Sequence, residues 1–597
     1  MKKFLSCRPA ILLAGMFATF MAFVVVWCAG TTFRAMSDWH LYLFNIFAAL
    51  LLTLPAVLAR KMWVQIVIMS LIDCLLVSNL MYCRTYLTAI PLDSYLLAGN
   101  LADFTASVVD SLRAADIVFP LITVLTAVLA VRAKKQWDWS RLKYSAITLA
   151  AGVAAFLGML PYGGFYKEYD RLAESCYYST CGVPIYTVGG HLAYSAMSTS
   201  AVLTPETERN VAQWVESKES LRSFEALPDS VGQRLNLVIV LLESFESWLV
   251  ETRIDGKEIT PYINSLVADS TTLFYPNMLT QVASGRSIDC QLLLTSGLLP
   301  MLNSVYSMKY PATDYPSLCK ALREERGARS VILTCDKPVT WNQEVISRSM
   351  GYDSLIHRGS WVIDEVVGNP AKLSDGSFLR QSVELLKRDG AGIDGHPFML
   401  TFVTYSGHNP FRLPDNMKDP DFMIDPSRYP AKMVDYVTMA HYTDSCLATL
   451  VEYFKSRPDY KDTMILITGD HEGLASDRAS ILRSEAAQGI VSPRQLTPFI
   501  LLNSPVPGRS DAVMGQIDMY PTLLAMLGLG GYYWKGMGQN ILTEGRPEVA
   551  ISSMTGEILG DTTDISPAVM QNILDARRIS DAIIAHDMLR SQDRNAR

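Results

Sequence analysis

The fold is decided at residues 235–246, which read Leu-Asn-Leu-Val-Ile-Val-Leu-Leu-Glu-Ser-Phe-Glu. The first eight residues are nearly all apolar, and such a run is typical of a strand buried on both faces of a parallel sheet. Similar runs follow, with helical stretches between them, at residues 330–334, 398–403, 463–468 and 498–502. Because strands that alternate with helices build α/β domains, we predict one such domain over residues 235–545.

The chain before this strand is much more apolar than a soluble domain. Of all 597 residues, 49% are hydrophobic and only 19% are charged, whereas soluble domains carry about 25% charge. The excess lies in five apolar runs, at residues 9–33, 41–59, 62–82, 117–131 and 144–162. Since about 20 apolar residues cross a hydrocarbon core, we interpret residues 1–162 as an N-terminal five-helix transmembrane bundle. The first run alone would also fit a cleaved signal peptide, but the four runs after it favour an integral membrane protein.

Basic side chains set the orientation of this bundle. They cluster before the first run, between the second and third, and between the fourth and fifth: Lys2, Lys3, Arg8, Arg60, Lys61, Arg132, Lys134, Lys135, Arg141 and Lys143. Because loops rich in Lys and Arg stay in the cytoplasm, five crossings place everything after Tyr162 outside it. The sequence therefore predicts a multi-pass protein of the cell (inner or cytoplasmic) membrane. Asp73, inside the third run, is either a functional intramembrane carboxylate or a structural one paired with another helix.

Two further segments flank the α/β domain. Residues 163–234 are expected to form an extracytoplasmic connector, in which Thr204-Pro-Glu starts a helix. Residues 546–597 are polar and are expected to form a helical tail. A local disulfide between Cys176 and Cys181 would suit the expected compartment, but the sequence does not require one.

Composition excludes several classes of protein. The net charge is −7 and no region is strongly basic, so nucleic acid is not expected as a partner. The ten cysteines are scattered and form no Cys-x-x-Cys pair, which excludes a zinc ribbon and a disulfide-dense scaffold. The ordinary Gly and Pro contents and the high apolar content exclude a disordered or fibrous chain.

Side chains that can bind metal ions follow three of the predicted strands. Glu243 ends the first strand, His408 follows the third, and Asp470 and His471 follow the fourth. In open α/β sheets such positions gather at one edge, at the carboxyl ends of the strands. Carboxylates with an imidazole suit a divalent metal ion such as Zn²⁺ or Mn²⁺. Taken singly, each residue is more often a cap or a solvated loop residue.

A serine opens a predicted helix in the segment Gly285-Arg-Ser-Ile-Asp, which an apolar stretch follows. Unpaired backbone N–H groups at a helix start favour an anion such as phosphate, so Ser287 is a candidate nucleophile. The ordinary alternative is a serine that only caps the helix.

In combination, these segments resemble one superfamily. The apolar strand ending in Glu-Ser, the Gly-basic-Ser-x-Asp helix start, Ser-Gly-His-x-Pro-Phe at 406–411 and Gly-Asp-His-Glu-Gly at 469–473 occur in this order, followed by residues 516–524 and 533–536. Together they resemble the sulfatase (alkaline phosphatase) superfamily. With the five-helix anchor, the chain is similar to the lipoteichoic acid synthase-like, phosphoglycerol transferase branch. The resemblance runs to about residue 545 and implies an extracytoplasmic α/β domain of alkaline phosphatase/sulfatase type.

The resemblance assigns roles at the metal site. It implies one divalent metal ion, Mn²⁺ or Zn²⁺, held by Glu243, Asp470, His471 and Ser287. It also makes Ser287 the nucleophile, at a position where the lipoteichoic acid synthases carry threonine. Coordination of a hydroxyl to a metal ion lowers its pKa, which produces a competent alkoxide.

The resemblance also assigns a substrate pocket. His408 matches a histidine that binds substrate or assists proton transfer, and Trp341 with Asn342 matches a pair that lines the phosphoglycerol pocket. This chain departs from the family pattern twice. Gln343 stands where the synthases have arginine, and the histidine expected shortly before the tryptophan is absent near residues 334–336, which read Thr-Cys-Asp. The pocket is therefore expected to accept phosphoglycerol or a different head group.

The sequence thus predicts a metal-dependent membrane phosphotransferase. It would move a phosphoglycerol-like group from a membrane phospholipid to an extracytoplasmic glycan or lipid through a covalent phosphoserine. A phosphoethanolamine transferase is the nearest alternative, because its chemistry is the same. A sulfatase or phosphodiesterase-type hydrolase is less favoured, since Ser287 lacks the Pro and Arg of the formylglycine sequence. A non-catalytic membrane scaffold is the least favoured, because all four metal-site residues are chemically suitable.

Overall fold

The computed structural model describes residues 8–29, 61–86, 111–133, 203–228 and 234–590, apart from short gaps at 302–303, 369–371 and 555, together with a few further residues within 54–59, 90, 146–157 and 231. The chain divides into two compact units. The first contains the apolar N-terminal region, and the second contains nearly all residues from Val202 onward. The first unit is helical where it is described, and the second is an α/β domain.

Three helices make up most of the described part of the N-terminal unit. They are α1 (Arg8–Ala29), α2 (Met62–Tyr86) and α3 (Val118–Arg132), the last preceded by a 3₁₀ turn (Ala114–Ile117). Large apolar side chains from all three pack in one buried cluster that includes Phe20, Leu76 and Phe119. Arg8 donates from Nε to the carbonyl oxygen of Ala130 at 3.0 Å. This hydrogen bond ties the start of α1 to the end of α3.

Two helices in the described part of the chain are long and apolar enough to cross a membrane, at Met62–Tyr82 and Ala114–Arg132. The apolar segment of α1, Ala10–Phe23, is shorter. These three helices fall on the third, fourth and first predicted spans. The second and fifth predicted spans, residues 41–59 and 144–162, lie mostly outside the described residues. The five-helix bundle therefore stays a prediction.

Asp73 lies within α2 and contacts a neighbouring helix. Thr123 of α3 donates from Oγ1 to Asp73 Oδ2 at 2.6 Å, and both side chains are buried. This contact favours the structural interpretation of Asp73, since the carboxyl group joins two helices.

The second unit is built on a sheet that has nine strands in the described residues. They are β1 (Asn236–Leu242), β2 (Leu273–Leu279), β3 (Arg329–Thr334), β4 (Ser354–Ile356), β5 (Phe398–Val403), β6 (Thr463–Gly469), β7 (Leu496–Leu502), β8 (Gly508–Arg509) and β9 (Met514–Gly515). Their order is β8-β2-β7-β6-β1-β5-β3-β4, with β9 also paired to β2. Strands β1, β3, β4, β5 and β6 run parallel. The predicted α/β class is confirmed.

Two strands differ from the sequence prediction. The run at residues 498–502 predicts a parallel strand, but β7 is antiparallel to both of its neighbours. It is buried along its whole length, and a strand buried on both faces has the same apolar pattern in either direction. β2 is not evident in the sequence, because Pro276 and Asn277 interrupt its apolar pattern and are only half-buried.

Helices cover both faces of this sheet. They are α4 (Pro205–Leu221), α5 (Pro261–Val267), α6 (Ser287–Ser296), α7 (Tyr306–Lys309), α8 (Leu318–Arg326), α9 (Gln343–Ser349), α10 (Asp375–Asp389), α11 (Ala431–Lys455), α12 (Arg478–Ile481), α13 (Met519–Met526) and α14 (Pro567–His586). Successive side chains of β1 point to opposite faces, so Ile239 and Val240 enter different core clusters. One cluster includes side chains of α4, α6, α8, α13 and α14, and the other includes side chains of α5, α10 and α11.

The segment before β1 and the tail after residue 566 pack against each other. Thr204 caps α4 by accepting a hydrogen bond from the backbone N–H of Thr207 at 3.1 Å. Trp214 of α4 donates from Nε1 to the carbonyl oxygen of Asn572 in α14 at 2.9 Å, and Arg222 donates to Asn572 Oδ1 at 2.7 Å. Cys176 and Cys181, for which the sequence leaves a disulfide open, lie outside the described residues.

Candidate active site

Glu243, Asp470 and His471 meet at the carboxyl edge of the sheet. Leu242 at the end of β1 pairs with Gly469 at the end of β6, so the residues that follow them are neighbours. One ligand atom from each of the three side chains lies within 4.8 Å of the others. The backbone N–H of Ser244 donates to Asp470 Oδ1 at 2.7 Å, which holds the two strand ends together.

Ser287 enters this group from the first turn of α6. Its Oγ lies 3.3 Å from Glu243 Oε2 and 3.3 Å from His471 Nε2. The N-cap position belongs to Arg286, which makes no capping hydrogen bond with its side chain. The contacts of its hydroxyl with the acidic cluster favour the nucleophile interpretation of Ser287 over that of a simple cap.

The turn before Ser287 is held by a buried carboxylate. Asp289 Oδ2 accepts hydrogen bonds from the backbone N–H groups of Ala283 and Gly285, each at 2.9 Å. A Cβ atom on Gly285 would lie 2.2 Å from Asp289 Oδ1, so this position requires glycine. Arg286 follows with a φ of 52°, in the left-handed region that non-glycine residues seldom adopt. This strained turn fixes where the hydroxyl of Ser287 points.

The buried carboxylates of Glu243 and Asp470 favour binding of a cation between them. Burial raises the pKa of Glu243 to about 7. Burial, together with the charge of Glu243, raises the pKa of Asp470 well above its usual range. Burial and the positive charge of Arg286 hold the pKa of His471 well below its usual range. Two carboxylates that face each other away from water are costly unless a cation joins them. Two carboxylate oxygens, an imidazole nitrogen and a hydroxyl oxygen fit one divalent ion such as Zn²⁺ or Mn²⁺.

Two groups face the Nδ1 atom of His471. It lies 2.9 Å from the carbonyl oxygen of Glu472, which can accept from an Nδ1–H, and 3.0 Å from Nη2 of Arg286, which can only donate. The other ring nitrogen, Nε2, lies 3.3 Å from Ser287 Oγ and 3.4 Å from Glu243 Oε1, on the side where a metal ion would bind. Arg286 donates to the same carbonyl oxygen at 2.8 Å and forms a buried ion pair with the Glu472 carboxylate.

Glu246 holds the loop that carries His471. Its carboxylate is fully buried and accepts hydrogen bonds from the backbone N–H groups of Gly473 at 2.8 Å and Leu474 at 3.1 Å. It also pairs with Arg478 at 2.7 Å and accepts from Trp248 Nε1 at 2.9 Å. The sequence places Glu246 beside Glu243 but gives no sign that it supports the opposite strand end.

His408 lies in a loop that packs directly on Glu243. Thr404 Oγ1 accepts a hydrogen bond from the backbone N–H of Glu243 at 3.0 Å. A Cβ atom on Gly407 would lie 2.0 Å from the carbonyl oxygen of Glu243, so only glycine allows this close approach. Burial, with the positive charge of Lys372 as the next cause, lowers the pKa of His408 to about 4. The imidazole is therefore neutral near pH 7.

Trp341 and Asn342 follow β3 at the same edge of the sheet. Both have left-handed backbones, with φ values of 52° and 56°, which is a costly arrangement for two consecutive non-glycine residues. Asn342 donates from Nδ2 to the carbonyl oxygen of Ser307 at 3.1 Å. In the described residues neither side chain hydrogen-bonds to the metal-site residues. The geometry thus places this pair near the edge but outside the acidic cluster.

Sequence reasoning missed Lys372. It lies in a two-residue strand (Lys372–Leu373), and its Nζ is 2.5 Å from Asp336 Oδ1, with only 4% of the side chain exposed. Its Nζ also lies 4.1 Å from the centre of the Tyr405 ring, and that ring stacks on His408 at 5.2 Å. A single lysine in a polar stretch of sequence gives no indication that its side chain is buried beside the candidate site.

The motif at residues 516–524 supports the fold. Asp518 accepts hydrogen bonds from the backbone N–H groups of Gly515 and Gln539, each at 2.9 Å. Thr522 donates to the carbonyl oxygen of Asp518 at 2.7 Å and accepts from the backbone N–H of Ile541 at 3.1 Å. Gln516 reaches the metal edge, since it donates to the carbonyl oxygen of Asp470 at 2.8 Å.

Comparisons with known proteins agree with this architecture. Residues 235–529 match the Sulfatase family, and residues 1–189 match the lipoteichoic acid synthase N-terminal domain. Lipoteichoic acid synthase 1 of Bacillus subtilis is 24% identical over 602 residues, which cover 92% of this chain and 90% of that protein. The lipoteichoic acid synthase of Staphylococcus aureus (strain USA300) is 23% identical over 511 residues, 82% of this chain and 76% of that protein.

A solved structure shares the fold. The lipoteichoic acid synthase LtaP from Listeria monocytogenes superposes with a TM-score of 0.52 at 18% identity, over 62% of this chain and 98% of that structure. The sheet and the two family matches thus define a member of the sulfatase superfamily. Within it, the chain belongs to the lipoteichoic acid synthase-like branch, so the resemblance read from its motifs is confirmed.

Proposed function

We propose that this protein is a membrane phosphotransferase that moves a glycerophosphate-like group from a phospholipid to an extracytoplasmic glycan or lipid. The observation that carries the proposal is the position of Ser287 Oγ, 3.3 Å from both Glu243 and His471 at the start of a helix. A hydroxyl so placed suits attack on phosphorus, because the first backbone N–H groups of α6 favour phosphate oxygens. The similarity to lipoteichoic acid synthases over most of the chain supports the same function.

Glu243, Asp470, His471 and Ser287 would hold one divalent ion, Zn²⁺ or Mn²⁺. Such an ion lowers the pKa of a bound hydroxyl and neutralises a phosphate oxygen. Ser287 Oγ gives up its proton and forms a bond to phosphorus while the bond from phosphorus to the diacylglycerol oxygen breaks, and that oxygen takes up a proton. The product is a phosphoserine that carries the head group.

A second alcohol resolves this phosphoserine. The acceptor hydroxyl forms a bond to phosphorus, the bond to Ser287 Oγ breaks, and Ser287 regains a proton. We propose that His408, whose imidazole is neutral near pH 7, is the group that accepts the proton of the acceptor hydroxyl. Trp341 and Asn342 are proposed to line the head-group side of the pocket. Phosphoethanolamine is the second candidate group, because Gln343 and residues 334–336 depart from the synthase pattern.

Mass spectrometry of a trapped adduct tests this function. We expect that the purified full chain, incubated with phosphatidylglycerol and no acceptor, yields a Ser287 peptide that carries glycerophosphate, with release of diacylglycerol. The same incubation with phosphatidylethanolamine identifies the second candidate. Diacylglycerol release with Ser287 unmodified at every time point would contradict the covalent mechanism.

We also propose that residues 1–162 form five membrane spans and that the domain at 235–545, with its connector and tail, lies outside the cytoplasm. The two apolar helices of sufficient length and the one-sided basic residues support this topology.

Reporter fusions test the topology. Alkaline phosphatase, which becomes active only outside the cytoplasm, is expected to be active when fused after Leu203 and inactive when fused after Lys61. The physical reason is that the Arg60-Lys61 turn stays on the cytoplasmic side. The reverse pattern of activity would show that the orientation is wrong.

A further inference from the structure

The loop that carries His408 is held from two sides. On its inner side it packs on the strand end of the metal site, where Thr404 and Gly407 lie against the backbone of Glu243. On its outer side it meets the first residue of α10, Asp375. The short segment before His408 therefore lies between two elements of the fold, one of which carries a proposed metal ligand.

Asp375 and the loop exchange hydrogen bonds in both directions. Asp375 Oδ1 accepts from the backbone N–H groups of Tyr405 and Ser406, each at 2.9 Å. In return, the backbone N–H of Asp375 donates to Ser406 Oγ at 2.8 Å. Asp375 and Ser406 are both buried. We refer to these three hydrogen bonds as the Asp375 clasp.

The start of α10 is itself fixed. Ser374 caps the helix by accepting from the backbone N–H of Ser377 at 3.2 Å, and Thr443 of α11 donates to Asp375 Oδ2 at 3.2 Å. Asp375 forms no ion pair within the described residues, and a buried carboxylate without a cation is costly unless hydrogen bonds compensate for it. The carboxylate thus depends on the same hydrogen bonds that join the loop to two helices.

The clasp reaches His408 through Tyr405. The backbone N–H of His408 donates to the carbonyl oxygen of Tyr405 at 2.9 Å, and the two rings stack with their centres 5.2 Å apart. Both the backbone and the ring of Tyr405 therefore set the position of the imidazole, while Asp375 sets the position of Tyr405.

We propose that Asp375 is a positioning residue for the second half of the reaction, which holds His408 where it can take the proton of the acceptor alcohol. This inference rests on the proposed function, in which that alcohol resolves the phosphoserine. The alcohol oxygen forms a bond to phosphorus and gives its proton to His408, while the bond to Ser287 Oγ breaks and Ser287 regains a proton. Asp375 touches neither the substrate nor a reacting atom, so it acts only through the loop.

Decay of the covalent adduct tests the inference in the full-length protein. The Ser287 adduct is formed with phosphatidylglycerol, glycerol is added as the acceptor alcohol, and loss of the adduct is followed by mass spectrometry. Asp375→Ala is expected to slow this decay about a hundredfold, because a displacement of about 1 Å of a reacting group has an effect of that order. Asp375→Asn keeps an oxygen that can accept from both N–H groups and is expected to keep most of the rate.

Asp444→Ala is the matched control. Asp444 is also a buried carboxylate that accepts from two consecutive backbone N–H groups, those of Tyr262 and Ile263, but it does not contact the His408 loop. Its variant is expected to lower the melting temperature as Asp375→Ala does, without slowing decay of the adduct.

Combination with His408→Ala distinguishes positioning from general stability. If Asp375 acts only through His408, the adduct of the double variant decays as slowly as that of His408→Ala alone. Ser406→Ala removes one hydrogen bond of the clasp and is expected to slow decay to a smaller extent, again with no added effect beside His408→Ala.

Two results would overturn the inference while the proposed function stands. One is decay at the wild-type rate in folded Asp375→Ala or, where that variant does not fold, in Ser406→Ala. The other is an effect of Asp375→Ala that multiplies with that of His408→Ala, as an independent structural role would give. A wild-type adduct that does not decay after glycerol is added would refute the proposed transfer step, and this inference with it.

Discussion

Ser287→Ala is expected to abolish turnover, by about 10⁴-fold or more, whereas Ser287→Thr keeps a measurable fraction. Alanine has no oxygen to bind a metal ion or to attack phosphorus. Threonine keeps the hydroxyl and adds only one methyl group. The measurement is release of diacylglycerol from labelled phospholipid by the purified full-length protein.

The stability of the Ser287→Ala variant distinguishes a catalytic role of Ser287 from a structural one. A capping serine replaced by alanine costs about 1 kcal/mol of stability and leaves catalysis largely intact. Thermal unfolding of each variant gives that comparison. An alanine variant that stays folded, binds metal and turns over would place the nucleophile elsewhere. Ser284, which is buried and whose Oγ makes no hydrogen bond within the described residues, would then be the next candidate.

Asp470→Asn and Glu243→Gln are each expected to remove both bound metal and activity while the domain stays folded. Each change replaces an anionic oxygen ligand with a neutral amide, which is a poor ligand for a hard cation. Asp470→Asn retains an oxygen that can accept the hydrogen bond from the Ser244 backbone, now at 2.7 Å. The strand ends should therefore stay joined. Metal content after dialysis and diacylglycerol release are the two measurements.

Asp444→Asn provides a matched control for the metal prediction. Asp444 is also a buried carboxylate, but it accepts hydrogen bonds from the backbone N–H groups of Tyr262 and Ile263 at the start of α5. Its variant is expected to lose stability and to keep stoichiometric metal. Retained metal and activity in either Asp470→Asn or Glu243→Gln would show that the assigned ligands are wrong.

The strands at the centre of the sheet could be predicted because they are buried on both faces. Such strands leave uninterrupted apolar runs, as in β1, β5 and β6. Strand direction could not be predicted for β7, since its pairing depends on long-range topology. β2 could not be predicted, because Pro276 and Asn277 interrupt its apolar pattern. The strand accommodates these two residues because both are partly exposed.

The residues of the candidate site could be predicted where a metal-binding or nucleophilic side chain stands at a strand end or a helix start. Glu243, Ser287 and Asp470 all stand at such points, and the topology brings them together. Lys372 and Glu246 act through partners distant in sequence, Asp336 and Arg478. These ion pairs form only in the folded chain, so no local sequence pattern predicts them.

The tail helix α14 determines when the α/β domain can complete its folding. Trp214 emerges early in synthesis, and its partner Asn572 follows 358 positions later. At about 5–20 residues per second, roughly 20 to 70 s of translation separate the two. During that interval Arg222 also lacks the side-chain oxygen of Asn572, to which it donates in the finished protein. A chain that ends before Ser566, through a stalled ribosome or a protease, would contain all the strands of the sheet. It would lack α14, and with it the hydrogen bonds from Trp214 and Arg222 to Asn572.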